Sequence, residues 1–122
     1  QYLVERMDEE KSGISLLADT LLSETQRLIK ESLPSGIPSI LQVAEHRGVS
    51  ARTLKRRLSE KGKTFRELVQ HVQQGEALAL LKTSRQSISE IAFMTGFSEQ
   101  SAFHRAFRRW TGQSPSDYRK SF

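Results

Sequence analysis

Cysteine is absent from the chain of 122 residues, so neither disulfides nor cysteine-ligated zinc can stabilise the fold. The three histidines, His46, His71 and His104, match no metal-ligand spacing, and we expect no metal and no cofactor. No apolar run approaches the roughly 20 residues of a membrane span, and no signal peptide opens the chain. These absences predict a protein without membrane contact, whose fold depends on an apolar core.

Motifs that carry catalysis are also lacking. The sequence contains no glycine-rich phosphate loop, no paired carboxylates in a cleft-like pattern, and no serine or histidine in a nucleophile–base context. We therefore expect that the chain is not an enzyme.

Charge is distributed unevenly along the chain, whose net charge is +5. Residues 1–36 carry seven acidic and four basic side chains, whereas residues 37–122 carry seven acidic and fifteen basic ones. Such asymmetry indicates that the later part meets a polyanion and the first part does not. A basic surface can also be merely solvated, so charge alone does not decide between the two interpretations.

Apolar residues recur at helical spacing and strand-like alternation is missing, which predicts an all-α fold. A capping box, in which a serine or threonine caps the helix and the residue three positions on reaches back, occurs at Ser39 with Gln42, Thr64 with Glu67, and Ser87 with Glu90. We predict seven helices, at about 14–33, 39–47, 51–61, 64–82, 87–95, 99–111 and 115–121. Gly75 should weaken its helix by roughly 1 kcal/mol and mark close packing or a kink.

An internal repeat relates two parts of the chain. Residues 39–44 match residues 87–92, and residues 48–50 match residues 96–98, both at an offset of 48. One residue is then inserted, and from there the offset is 49, so that Leu54 matches Phe103 and Leu58 matches Phe107. Two copies of one helix-turn-helix plan explain this pattern.

The repeated positions suit the parts of a helix-turn-helix. A small residue stands where the helices cross, a glycine permits the left-handed backbone of the turn, an apolar residue enters the core, and a serine caps the second helix. Two large apolar residues four apart then make a buried face. These residues are Ala44, Gly48, Val49, Ser50, Leu54 and Leu58 in the first copy, and Ala92, Gly96, Phe97, Ser98, Phe103 and Phe107 in the second. Phe93, Met94 and Trp110 are also expected in the core.

The second helix of each copy presents a basic or polar face, whose side chains are of the types that reach base edges or phosphates. The candidates are Arg52, Lys55 and Arg56 in the first copy, and Gln100, Ser101, His104 and Arg105 in the second. Candidate phosphate contacts beside these helices are Arg47, Lys61, Lys63, Arg108 and Arg109, although such charges can also serve only solubility.

Residues 87–118 closely resemble the signature of the AraC/XylS family of bacterial transcription regulators, and residues 39–58 resemble its first helix-turn-helix. The motifs that carry the resemblance are Gly96-Phe97-Ser98, Ser101-Ala102-Phe103, Arg105-Ala106-Phe107, and Gly112 with Pro115. It implies a homeodomain-like, bilobed domain with helix-turn-helix units at 37–63 and 83–122, joined by a rigid connecting helix at 64–82. Residues 1–36 would form a junction segment and the first helix.

The resemblance also implies a function, namely sequence-specific binding of double-stranded DNA in transcription regulation, with activators among the family's members. Recognition helices at about 51–61 and 99–111 would enter successive major-groove segments, about one turn or roughly 34 Å apart. It assigns base reading to the seven candidates above. It further implies RNA polymerase as a partner, a cytoplasmic location in association with the nucleoid, and an N-terminal sensing and dimerisation domain outside this chain.

Two other interpretations remain open from the residues alone: a helical RNA-binding module and a protein-interaction module. RNA readers generally expose aromatic rings for stacking, whereas here the aromatic residues stand at core spacing.

Overall fold

The computed structural model describes the backbone of residues 9–122 and the side chains of residues 20–122. This part of the chain is all-helical and contains no strand, which confirms the predicted fold class. The helices are α1 Glu9–Ser32, α2 Ile40–His46, α3 Ala51–Glu60, α4 Phe65–Thr83, α5 Ile88–Met94, α6 Gln100–Thr111 and α7 Pro115–Lys120, with a short 3-10 helix at Leu33–Ser35. The first helix begins at Glu9, earlier than predicted, while the other predicted boundaries agree within about two residues.

The three predicted capping boxes are confirmed. In α2, the backbone N–H of Gln42 donates to Ser39 Oγ at 3.1 Å, and the N–H of Ser39 donates to Gln42 Oε1 at 3.0 Å. The same reciprocal pair opens α4 at Thr64 and α5 at Ser87. Because these bonds join residues three positions apart, the local sequence alone fixes where these three helices begin.

The first of two apolar cores lies among α1, α2, α3 and the first half of α4. Its buried members are all aliphatic, namely Ile29, Leu33, Val43, Ala44, Leu54, Leu58, Leu68 and Val69. Ala44 is buried where α2 and α3 pack, as its position in the repeat predicts. The core supports the turn between α2 and α3, with Val49 half-buried against it.

The second core, among the end of α4, α5, α6 and α7, contains an aromatic cluster. Phe103 and Phe107 are fully buried with their ring centroids 5.8 Å apart, and Tyr118 of α7 lies 5.5 Å from the ring of Phe107. Trp110 packs on this cluster from its edge, with its ring centroid 6.3 Å from that of Phe107. The repeat therefore preserves the position of the core side chains but not their chemistry.

Phe93 corrects one prediction, because its side chain is 56% exposed rather than in the core. Its neighbours Ile91 and Ala92 face the second core. Each helical residue is turned by about 100° from the one before, so the next position leaves the buried face. Met94 is half-buried.

Helix α4 is more than a spacer between two units. Its buried residues Leu68 and Val69 belong to the first core, and its buried residues Ala77 and Leu81 belong to the second. Without α4, each core would lose some of its buried side chains. The two units therefore share this helix as part of their cores, and it does not serve only as a linker.

Gly75 lies in the middle of α4, and replacing it with alanine is expected to stabilise the domain by about 0.5–1 kcal/mol. The helix runs unbroken through this position, and an added Cβ would meet nothing within 4 Å, so Gly75 does not serve close packing. The gain comes mainly from the reduced entropy of the unfolded chain. Thermal unfolding measured by circular dichroism should show a melting temperature raised by a few degrees. Ala79→Gly, at an exposed position of the same helix, should lower it, and a destabilised Gly75→Ala would contradict this account.

Candidate nucleic-acid interface

The turns of the two helix-turn-helix units share one backbone geometry. In the first, Gly48 N–H donates to Glu45 O and Val49 N–H donates to Ala44 O; in the second, the residues 48 positions later make the same two bonds at 3.0 Å. Gly48 and Gly96 both have positive φ, at 74° and 92°. The left-handed backbone expected at both glycines is thus confirmed, and it directs the chain from the first helix of each unit into the second.

The inserted residue of the second unit changes the start of its second helix. In the first unit Ser50 caps α3, and its Oγ accepts from Thr53 N–H at 3.0 Å. In the second unit the N-cap is Glu99, whose side chain makes no capping bond, so the prediction that Ser98 caps this helix was wrong. The extra residue lies between Phe97 and the helix, and it moves the serine out of the capping position.

The exposed face of α3 carries three of the predicted base-reading residues. Arg52, Lys55 and Arg56 are all exposed, while Leu54 and Leu58 point into the first core. Arg56 Nε lies 4.0 Å from Glu60 Oε2, and both side chains are well exposed. Such a surface pair is worth little, so it holds the side chain of Arg56 only weakly.

The exposed face of α6 carries the other four. Gln100, Ser101 and Arg105 are exposed and His104 is half-buried, on the side opposite Phe103 and Phe107. Ser101 Oγ donates to the carboxylate of Glu99 at 3.3 Å. The repeat did not single out Glu99. It stands at the start of α6, and in helix-turn-helix proteins the first residues of the second helix contact bases.

Four of the five predicted phosphate contacts lie at the ends of these two helices. Lys61 and Lys63 are exposed in the turn after α3, and Arg108 and Arg109 are exposed in the last turn of α6. A cation there also interacts favourably with the helix dipole. The four side chains thus lie beside the exposed faces of α3 and α6, and their role as phosphate contacts stays a prediction.

Arg47, the fifth predicted phosphate contact, is engaged inside the domain. Its Nη1 lies 3.0 Å from Glu24 Oε1 of α1, and its Nε is buried without a hydrogen-bond partner among the described residues. Glu24 also pairs with Arg27, which bonds Glu31 as well, and these carboxylates raise the pKa of Arg27 above its ordinary value. The role of Arg47 as a phosphate contact stays a prediction that competes with this ion pair.

Other kinds of site find little support in the part of the chain that the structure describes. Within it, no group of three or more histidine or acidic side chains is arranged to hold a metal ion, and none of its helices is long and apolar enough to cross a membrane. An open groove of about 360 Å³ between α1 and α2 is lined by Leu28, Pro38 and Val43, with Glu31 and His46 among its polar residues.

Comparison with known proteins decides the family. Residues 43–121 match the model of a family described as a helix-turn-helix domain. The fold superposes with a TM-score of 0.75 on an AraC-type DNA-binding domain regulator from Chromobacterium violaceum, at 24% identity over 84% of this chain and 91% of that one. The chain belongs to the AraC family of helix-turn-helix transcription regulators. It is a DNA-binding domain of that family, as the resemblance of residues 39–58 and 87–118 implied.

Two further proteins resemble this domain at higher sequence identity. The regulator VqsM of Pseudomonas aeruginosa is 38% identical over 101 residues, which are 83% of this chain and 31% of VqsM. The DNA-binding domain of the transcription factor AdpA, solved in complex with a target DNA, is 31% identical with a TM-score of 0.68, over 82% of this chain and 90% of that domain. The AraC-family chain described here thus spans about a third of the length of the curated relative.

Proposed function

We propose that this AraC-family domain reads double-stranded DNA with both helix-turn-helix units, placing α3 and α6 in successive major-groove segments on one face of the duplex. The observation that carries the proposal is the common construction of the two helices. Each follows an identical glycine turn, buries an apolar pair four residues apart, and leaves the opposite face exposed and polar. The AdpA domain, a relative of the same fold, is known in complex with DNA, which supports the proposal.

The side chains on the two faces suit different parts of the duplex. On α3, Arg52, Lys55 and Arg56 can reach guanine O6 and N7. On α6, Gln100 suits adenine, Ser101 and His104 can donate or accept hydrogen bonds, and Arg105 can only donate them. We propose that Glu99, at the start of α6, accepts from a cytosine amino group or else repels phosphate.

Phosphate contacts set the register and supply the salt-dependent part of the affinity. In the proposal, Lys61, Lys63, Arg108 and Arg109 neutralise phosphates beside each reading helix and release counterions. If four such contacts form, the affinity should fall steeply with salt, with a slope of roughly −3.6 in a double-logarithmic plot.

The wider role of the protein is proposed from its family alone. Bound near a promoter, the domain would contact RNA polymerase and act on transcription in the cytoplasm, at the nucleoid. A sensing and dimerisation domain N-terminal to it would control when it binds.

Selection of bound sequences from random duplexes tests the proposal most directly. The purified domain should enrich a motif of two short parts whose centres lie about one turn, or roughly 10 base pairs, apart. A single short motif would mean that only one unit reads bases. Competition with a duplex RNA of the same sequence should leave the DNA complex intact, and displacement by it would favour an RNA-binding module.

A further inference from the structure

One polar side chain interrupts the buried stripe of α4. Val69, Gln73, Ala77 and Leu81 follow one another at intervals of four residues and are all buried, so they lie along one face of the helix. Val69 belongs to the first core and Ala77 to the second. Gln73, only 4% exposed, therefore lies between the two cores.

The amide of Gln73 bonds to the second unit. Its Nε2 donates to the backbone O of Thr95 at 3.0 Å, inside the protein. Thr95 is the C-cap of α5, where carbonyl groups have no donor within their own helix. The side chain of Gln73 supplies a donor to this carbonyl, while the hydroxyl of Thr95 donates back to Ile91 O and Ala92 O.

The first unit meets the second at the same point. The 3-10 helix after α1 packs on α5, and a Cβ added to Gly96 would lie 3.2 Å from Leu33 Cδ2, 3.3 Å from Ile37 Cγ1 and 3.5 Å from Gln73 Nε2. Leu33 is a buried member of the first core. We call Leu33, Ile37, Gln73, Thr95 and Gly96 the junction, since they join the two units beside the shared helix.

A buried polar residue in an apolar stripe is costly unless it is bonded, and its bond is satisfied in one geometry only. In coiled coils a single residue of this kind selects one register among several that apolar packing alone would permit. We infer that Gln73 is a positioning residue that fixes the angle between the two units, and thereby the spacing between the two DNA half-sites that the domain accepts. This inference rests on the proposed function, because it presumes that both units bind DNA.

The test uses the selected operator with the segment between its half-sites lengthened or shortened by one base pair. Each base pair displaces the second half-site by about 3.4 Å and rotates it by about 35°. The unmodified domain is expected to lose about tenfold or more in affinity for the altered duplexes, since one bidentate base contact is worth that much. Gln73→Met keeps the size of the side chain but not the donor, and should lose only about threefold, because the second unit can then follow the displaced site.

A second measurement detects the angle without DNA. Because the chain has no cysteine, spin labels can be placed at Glu60→Cys and Gln113→Cys, two exposed positions at the ends of α3 and α6. The distribution of label distances should be narrow in the unmodified background and broader with Gln73→Met. Val69→Ala, which removes buried volume from the same helix within the first core alone, is the matched control and should change neither the distances nor the spacing preference.

The outcomes separate the inference from the proposed function. If Gln73→Met behaves as Val69→Ala in both measurements, Gln73 serves stability only and the inference is overturned. It is also overturned if the unmodified domain binds all spacings equally. A domain that binds no duplex contradicts the proposed function, and the label distances then decide the junction by themselves. If Gln73→Met fails to fold, Ile37→Ala replaces it, because Ile37 belongs to the junction and is 51% exposed. This variant should broaden both the distribution of label distances and the range of half-site spacings that the domain accepts.

Discussion

Gly96→Ala is expected to destabilise the domain by about 2–5 kcal/mol, which is a large part of the stability of an ordinary domain. Two costs add. At φ 92° an L-residue with a Cβ is strained by about 1–2 kcal/mol. The new methyl group would also lie 3.2 Å from Leu33 Cδ2 and 3.3 Å from Ile37 Cγ1, and overpacking of this kind costs about 1–3 kcal/mol.

The first unit contains the matched control. Gly48 occupies the same place in its turn with φ 74°, but a Cβ added there meets nothing within 4 Å. Gly48→Ala should therefore lower the free energy of unfolding only by the backbone strain, about 1–2 kcal/mol. Urea unfolding of both variants measures the difference directly. Equal losses of unfolding free energy in the two variants would mean that Leu33 and Ile37 move aside at no cost. The junction would then be less rigidly packed than its distances indicate.

Arg56→Ala is expected to weaken binding to the selected operator by about 1–3 kcal/mol, or roughly 5- to 150-fold, if its guanidinium reads a guanine. Its side chain is exposed on α3, and its one ion pair, with Glu60, is long and solvated. The loss should be confined to the operator and should disappear when the base pair that Arg56 contacts is changed. Affinity measured on a panel of single-base-pair variants identifies that position.

Arg57→Ala is the control for charge. Arg57 lies next along α3, but it lines a small groove with Leu21 and Leu22 of α1, away from the exposed face. Removing it changes the net charge equally and should weaken binding only slightly. If Arg56→Ala lowers the affinity for every duplex alike, Arg56 contacts phosphate. If the two variants bind equally well, Arg56 does not belong to the reading face.

The proposed interface could be predicted from the sequence as far as it depends on local pattern. The exposure of Arg52, Lys55 and Arg56 follows from their spacing against Leu54 and Leu58, because a helix presents residues by its period of 3.6. Their roles toward bases remain predictions, as do those of the residues on α6. The pattern was less informative at Ser98, where one inserted residue moved the cap to Glu99, and at Phe93, where a helix of two turns has too few apolar positions to define its buried face.

The sequence by itself determined where most of the helices begin, where the chain turns within each unit, and that there are two copies of one unit. Capping boxes such as Ser39 with Gln42, the glycine turns, and apolar pairs four residues apart all act between near neighbours in the chain. The partners in these interactions are set by their positions in the chain, so the pattern of residues reveals them directly. For that reason the all-α fold and most helix boundaries could be predicted from local chemistry.

Only the tertiary structure decided how the two units are joined. The engagement of Arg47 by Glu24 links residues 23 positions apart, and the bond from Gln73 to Thr95 links residues 22 apart. The spacing of four places Gln73 on the buried face of α4, but no local pattern predicts its partner, because Thr95 lies next to it only when the two cores pack on the same helix. The connecting helix α4 therefore belongs to both cores and carries a buried side chain that bonds to the second unit. Burial and hydrogen bonding between distant residues depend on the packed chain, so the sequence alone did not reveal this arrangement.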